Sequence, residues 1–100
     1  MVKHIVCWNM TDTNGRTKFE NAKLAAETLL SLKDKINVIR KFEVGINDER
    51  ASKDNFDVTL ISEFDSFEDL DIYQKHPEHV KAAAFIKTIR ITKAAVDFEV

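Results

Sequence analysis

Residues Val2–Met10 alternate with a period of two, and both faces of the alternation are rich in apolar side chains. His4, Val6, Trp8 and Met10 point one way; Lys3, Ile5, Cys7 and Asn9 point the other. Such a pattern describes a strand covered on both sides. The chain has 100 residues, the length of one domain. A domain this short can fold alone but often gains stability from a partner subunit.

The remaining elements follow from periodicity and punctuation. Thr11, Asp12, Thr13, Asn14 and Gly15 form a polar turn cluster. Residues 17–33 read as a helix with Phe19, Ala22, Ala26 and Leu29 on one stripe, widened by Ala25, Leu30 and Leu32. Residues 36–47 return to alternation, with Phe42, Val44 and Ile46 on one face, and Gly45 marks a bulge or a close backbone approach. A charged hairpin loop over 48–55 leads into a third strand at 56–64, with Val58, Leu60, Ser62 and Phe64 sharing a face. Ser66 and Asp69 read as a capping box opening a helix whose inward side chains are Phe67, Leu70 and Tyr73. His76-Pro77 breaks that helix, and Pro77 suits the first position of a new one running to about Thr88. His76 is expected to cap it and face solvent. A last strand occupies 92–100.

The order is β-α-β-β-α-β, so the expectation is a single α+β domain over residues 1–100. It is the ferredoxin-like arrangement: a four-stranded antiparallel sheet with helices on one face. The uncovered face would carry Ile5, Cys7 and Ile61 among Lys3, Glu43, Thr59 and Glu63, an apolar surface suited to a second copy of the chain.

Composition removes several functions. Fifteen basic residues face 17 acidic ones, a net charge of −2, which leaves no footprint for nucleic acid or an anionic membrane. No apolar run approaches the length that spans a bilayer, and the opening residues lack the pattern of a signal peptide. A cytoplasmic protein is expected. The one cysteine, Cys7, excludes an internal disulfide and thiolate-rich metal sites, and on a strand among apolar neighbours it is not expected to be reactive. His76 and His79 lie three apart but are flanked by Pro77 and Glu78, with no further ligand in register, so no metal is expected. No nucleophile elbow or phosphate-binding glycine loop is present, and no cofactor is expected.

Several segments together resemble one family. Lys3-His4-Ile5-Val6, Val44-Gly45, Ser62-Glu63-Phe64-Asp65-Ser66, Tyr73-Gln74-Lys75-His76-Pro77-Glu78-His79 and Val96-Asp97-Phe98 occur in the order and spacing of the Dabb family, the stress-responsive A/B barrel domains. The resemblance covers essentially the whole chain. It implies a homodimer in which two ferredoxin-like sheets face each other as a dimeric α/β barrel. It implies much less about activity, because members include proteins of no assigned role and a plant polyketide cyclase, and the wider superfamily includes cofactor-free monooxygenases.

Three residues are suited to proton chemistry: His4, Tyr73 and His79. With the first strand central and the helices above it, they are expected to converge between sheet and helices. The pocket is expected to be walled by Val6, Trp8, Phe42, Val44, Val58, Leu60 and Phe85, with Phe19 at its margin. A neutral imidazole accepts a proton from carbon next to a carbonyl, and a phenol donates to the developing enolate. The resemblance assigns such roles to the positions matching Tyr73 and His79, and places the position matching His4 in the same site. Val58 stands where the plant cyclase has a further histidine. Each of the three also has a structural reading: His79 bonding Tyr73 or a backbone carbonyl, Tyr73 as a core aromatic, His4 as a satisfied core histidine. The function expected is therefore a cofactor-independent lyase or cyclase on a carbonyl-rich small molecule. The alternatives are a dimer that only binds an apolar ligand, and a cofactor-free monooxygenase.

Overall fold

Hydrogen-bonded pairing begins at the central strand. A computed structural model describes all 100 residues. Strand β1 (Val2–Met10) lies between β3 (Val58–Phe64) and β4 (Arg90–Glu99), and β2 (Lys41–Ile46) closes the far edge beyond β3. Every neighbouring pair is antiparallel. The order β2-β3-β1-β4 is that of the ferredoxin-like fold. Helices α1 (Lys18–Leu30), α2 (Phe67–Lys75) and α3 (Pro77–Lys87) connect the strands. Val2, Val6, Trp8, Met10, Leu60 and Phe64 face the helices and form the core with Ala22, Ala25, Leu29, Leu70, Ala82 and Ile86.

Local chemistry decides where the helices start. Thr17 closes a complete capping box on α1: its hydroxyl accepts from the Glu20 N–H at 3.1 Å, and the Glu20 carboxylate accepts from the Thr17 N–H at 2.9 Å. The box expected at Ser66 is only half made. The Ser66 hydroxyl accepts from the Asp69 N–H at 3.1 Å, but aspartate is one methylene too short to reach back.

The buried stripe of α1 is rotated from the expected one. Asn21, Ala22, Ala25, Ala26 and Leu29 are buried, whereas Phe19 is 56% exposed and Leu30 also lies outside. Asn21 is tolerated inside because its amide donates to the Thr11 carbonyl at 2.7 Å and its oxygen accepts from Arg16 Nε at 2.8 Å. That pairing ties the β1–α1 turn to the helix. Phe67, expected inward on α2, is likewise exposed.

Residues 36–40 are not strand. Ile36 is buried under α1, and its N–H bonds the Leu32 carbonyl at 3.2 Å, so the chain turns before β2 begins. Gly45 makes no bulge: β2 pairs with β3 without a shift, and a Cβ there would meet Thr59 Cγ2 at 3.4 Å. The irregularity in the sheet falls instead between Asn9 and Met10, opposite β4.

The second sheet face is open. Ile5, Cys7 and Ile61 lie half-buried on it. Val96 and Phe98, paired with Ile5 and Lys3, extend the apolar surface onto β4 and are 61% and 38% exposed. No helix of the chain is long and apolar enough to cross a membrane.

Candidate functional site

His4 enters the space between sheet and helices because it has the parity of Val6 and Trp8 on the central strand. Tyr73 arrives from α2, three residues after Leu70 and on the same buried side. His79 arrives through the helix break. His76 ends α2 and caps α3 in extended conformation (φ −61°, ψ 135°), as a residue before proline prefers. Its Nδ1 accepts from the Glu78 N–H at 3.1 Å, which leaves His76 half-buried rather than facing solvent. The redirected chain brings His79 over Tyr73.

His4, Tyr73 and His79 line one cavity of about 350 Å³. The Tyr73 and His79 ring centroids are 4.5 Å apart, and the His4 centroid is 6.2 Å from that of Tyr73. Val6, Trp8 and Leu60 contribute apolar wall. The volume lies at the small end of the range for small-molecule sites.

Hydrogen bonding fixes the tautomers. The His79 Nδ1–H donates to the Gln74 carbonyl at 3.0 Å, leaving the neutral ring a lone pair on Nε2. The His4 Nδ1–H donates to the Asp97 carboxylate, an ion pair whenever the ring is protonated. A carboxylate behind an imidazole holds its orientation and tautomer. The Tyr73 hydroxyl is fully buried and has no protein partner. Unsatisfied buried hydroxyls are uncommon, and this one belongs to a residue that lines the cavity.

Burial tunes two of these groups in useful directions. It pushes the Tyr73 phenol well above its ordinary range, so the hydroxyl stays protonated. Burial also lowers the His79 pKa below its ordinary value. The Gln74 carbonyl opposes this, and the charges of His4, Lys93 and His76 reinforce it. The imidazole is thus neutral at pH 7.

The cavity sits nearer β4 than expected. Phe42, Val44, Val58 and Phe85 are not among its lining residues. Phe42 and Val44 belong to β2, two strands away from β1; the Phe42 ring packs against Tyr73, with centroids 6.1 Å apart. Val58 is buried opposite Trp8, so the departure from the plant cyclase falls outside the cavity wall. Phe85 is exposed on α3, whose Ala82 and Ile86 face inward. Phe19 is also elsewhere.

In their place stand residues not expected in the wall: Leu29 from α1, Gln74, Ala82, Ala83, Ala84, Ile86 and Lys87 from the helical side, and Arg90, Lys93, Ala95 and Asp97 from β4. The signal for Asp97 was the shared parity of Lys93, Ala95 and Asp97, but using it requires the β1–β4 register that sets His4 opposite Asp97. Cys7 lies on the opposite sheet face, its Sγ 3.4 Å from the Thr59 hydroxyl oxygen. No three His, Cys, Asp or Glu side chains converge as metal ligands.

The sequence matches the Dabb pattern, described as the stress responsive A/B barrel domain, over residues 2–100. A dimeric protein of unknown function and ferredoxin-like fold from Bacteroides fragilis is 36% identical; the match covers 99% of this chain and 95% of that one, with a TM-score of 0.84. A dimeric ferredoxin-like protein of unknown function from Thermobifida fusca is 23% identical over 99% and 90% of the two chains, with a TM-score of 0.82. The hydroxynitrile lyase of Passiflora edulis shares the fold at 14% identity, over 97% and 90% of the chains, with a TM-score of 0.74. No curated protein matches the sequence closely enough to count as a relative.

Proposed function

This chain belongs to the Dabb family, the stress responsive A/B barrel domains, and on that premise we propose that it works as a homodimer with one apolar small-molecule cavity per subunit, in which His79 and Tyr73 move a proton on a carbonyl-bearing ligand without a cofactor. The observation that carries this reading is the convergence, in one cavity, of a neutral imidazole with a free Nε2 and a buried phenol with an unused O–H.

The step is a proton transfer. His79 Nε2 takes a proton from the carbon next to the carbonyl, and the C–H electron pair moves into the carbonyl to form an enolate. The Tyr73 O–H donates a hydrogen bond to the enolate oxygen as charge develops there. The enolate carbon then attacks a second carbonyl of the same molecule and His79 returns its proton to the new alkoxide, or the enolate expels a leaving group from the adjacent carbon and that group takes the proton from His79. His4, held by Asp97, packs edge-on to Tyr73 and limits where the phenol points. The low pKa of His79 and the high pKa of Tyr73 suit a base and a donor that both work near neutral pH.

The homodimer reading is supported by the open apolar sheet face of Ile5, Ile61, Val96 and Phe98, and by the dimeric proteins of the same fold. A second functional reading, binding without chemistry, is favoured by the apolar wall of Val6, Trp8, Leu29 and Ile86.

An exchange assay separates the two. Propiophenone, an apolar ketone with slow spontaneous exchange, is incubated with the protein in deuterium oxide and its α-deuteration followed by NMR. Catalysed exchange that disappears in His79→Ala and falls in Tyr73→Phe supports the proton-transfer reading. Saturable binding of the ketone with exchange no faster than buffer overturns it in favour of binding alone.

A further inference from the structure

The charge around the cavity is opposite in sign to the charge of the chain. The protein as a whole carries a net −2, yet Lys87, Arg90 and Lys93 all line the cavity against a single carboxylate, that of Asp97. Asp97 is engaged by His4. None of the three cations has a carboxylate within 4.0 Å, although seven ion pairs form elsewhere in the fold or at His4. Arg90 is half-buried, which raises the cost of leaving its charge without a counter-ion.

The positions are ordered along β4. Lys93 pairs with Trp8 and Asp97 pairs with His4, with Ala95 between them opposite Val6. The cationic end of the cavity is therefore the Trp8 end, and the proton-transfer residues stand at the His4 end. Alanine at 95 leaves the floor between them open. We propose that the ligand is an amphiphilic organic anion, with its carbonyl beside Tyr73 and His79, its apolar body over Ala95, and its anionic group held at the mouth by Lys93 and Arg90. This rests on the reading of the cavity as a small-molecule site and adds the chemical class of the ligand. Lys93 is also close enough for its charge to act on His79, so an anion neutralising Lys93 on binding would make His79 a stronger base at the moment a substrate arrives.

A matched pair of fluorescent probes tests it: anilinonaphthalene sulfonate, which is anionic, and phenylnaphthylamine, which is neutral and of similar shape. Ala83→Trp, which fills the cavity from α3, identifies the signal that comes from the cavity. The expected result is that the sulfonate binds more tightly than the neutral probe at low salt and that added salt removes the difference. The double variant Lys93→Met/Arg90→Met weakens sulfonate binding by about tenfold and leaves the neutral probe within about twofold. Lys93→Met alone, at an exposed position, keeps the test open should the double variant not fold. Displacement by phenylbutyrate, phenyl phosphate or both identifies the anion that the mouth accepts. Equal binding of both probes, unchanged by the variants, overturns the anionic ligand while leaving the cavity reading intact. Binding of neither probe, or binding that survives Ala83→Trp in full, overturns both.

Discussion

The rings of Tyr73 and His79 lie 4.5 Å apart, inclined at 55°, yet they share no hydrogen bond. His79 uses its Nδ1–H on the Gln74 carbonyl, and the Tyr73 hydroxyl is left without a protein partner. Of the two structural readings of His79, the backbone carbonyl is the one the geometry realises. The consequence is an imidazole and a phenol that are fixed in place by other groups and still have their functional atoms free.

Tyr73→Phe should therefore cost no stability. The wild-type protein already carries the penalty of a buried hydroxyl without a partner, so removing it should leave the melting temperature unchanged or raise it, by up to about 1 kcal/mol. For a domain of this size that is a rise of roughly 4–8 °C. Differential scanning calorimetry of the variant, beside the exchange assay, would show lost chemistry with retained or improved stability. A fall of several degrees would mean that the hydroxyl has a partner in solution.

His79 should impose a pH dependence on both stability and activity. Its pKa is depressed in the fold, so the unfolded state binds its proton more readily. The stability contribution is then fully present above about pH 6.5 and is lost as pH falls through the folded value below it. Proton abstraction should follow the same group and be at its plateau by pH 7. The check is a thermal scan from pH 7.5 to 5 on wild type and His79→Gln, in which the variant should show the shallower decline.

Asp97→Ala removes the acceptor that fixes His4. With the aspartate side chain about one-third exposed (34%), the loss should be modest, about 1 kcal/mol. The larger effect should be on tautomer: nitrogen-15 chemical shifts of the His4 ring should move from one dominant Nδ1–H form to a mixture. Unchanged His4 shifts would show that Asp97 does not set its orientation.

Ile61→Asp places a charge in the centre of the open sheet face, opposite Ile5. If that face is an obligate dimer interface, burying more than about 2,000 Å² in all, the variant should sediment as a monomer or unfold. Wild-type protein that remains monomeric at micromolar concentration would defeat the dimer.

Periodicity alone determined the order of strands and helices, the both-sided apolar character of β1 and the break at His76-Pro77, because these depend on neighbours a few residues apart. Strand parity and helix spacing also placed His4 and Tyr73 on inward faces, and the resemblance of the Tyr-x-x-His-Pro-x-His segment added His79. What periodicity could not decide was the position of the cavity across the sheet. Phe42 and Val44 have the same parity as Val6 and Leu60, and only the strand order places β2 far from the site and β4 beside it. Asp97, Lys93 and Arg90 look like any charged residues on a C-terminal strand until the register, with its shift between Asn9 and Met10, sets Asp97 against His4 and Lys93 against Trp8. The rotation of α1 that expels Phe19 and admits Asn21 was hidden for the same reason. An amide enters a core only where tertiary contacts, here Thr11 and Arg16, satisfy both its oxygen and its nitrogen.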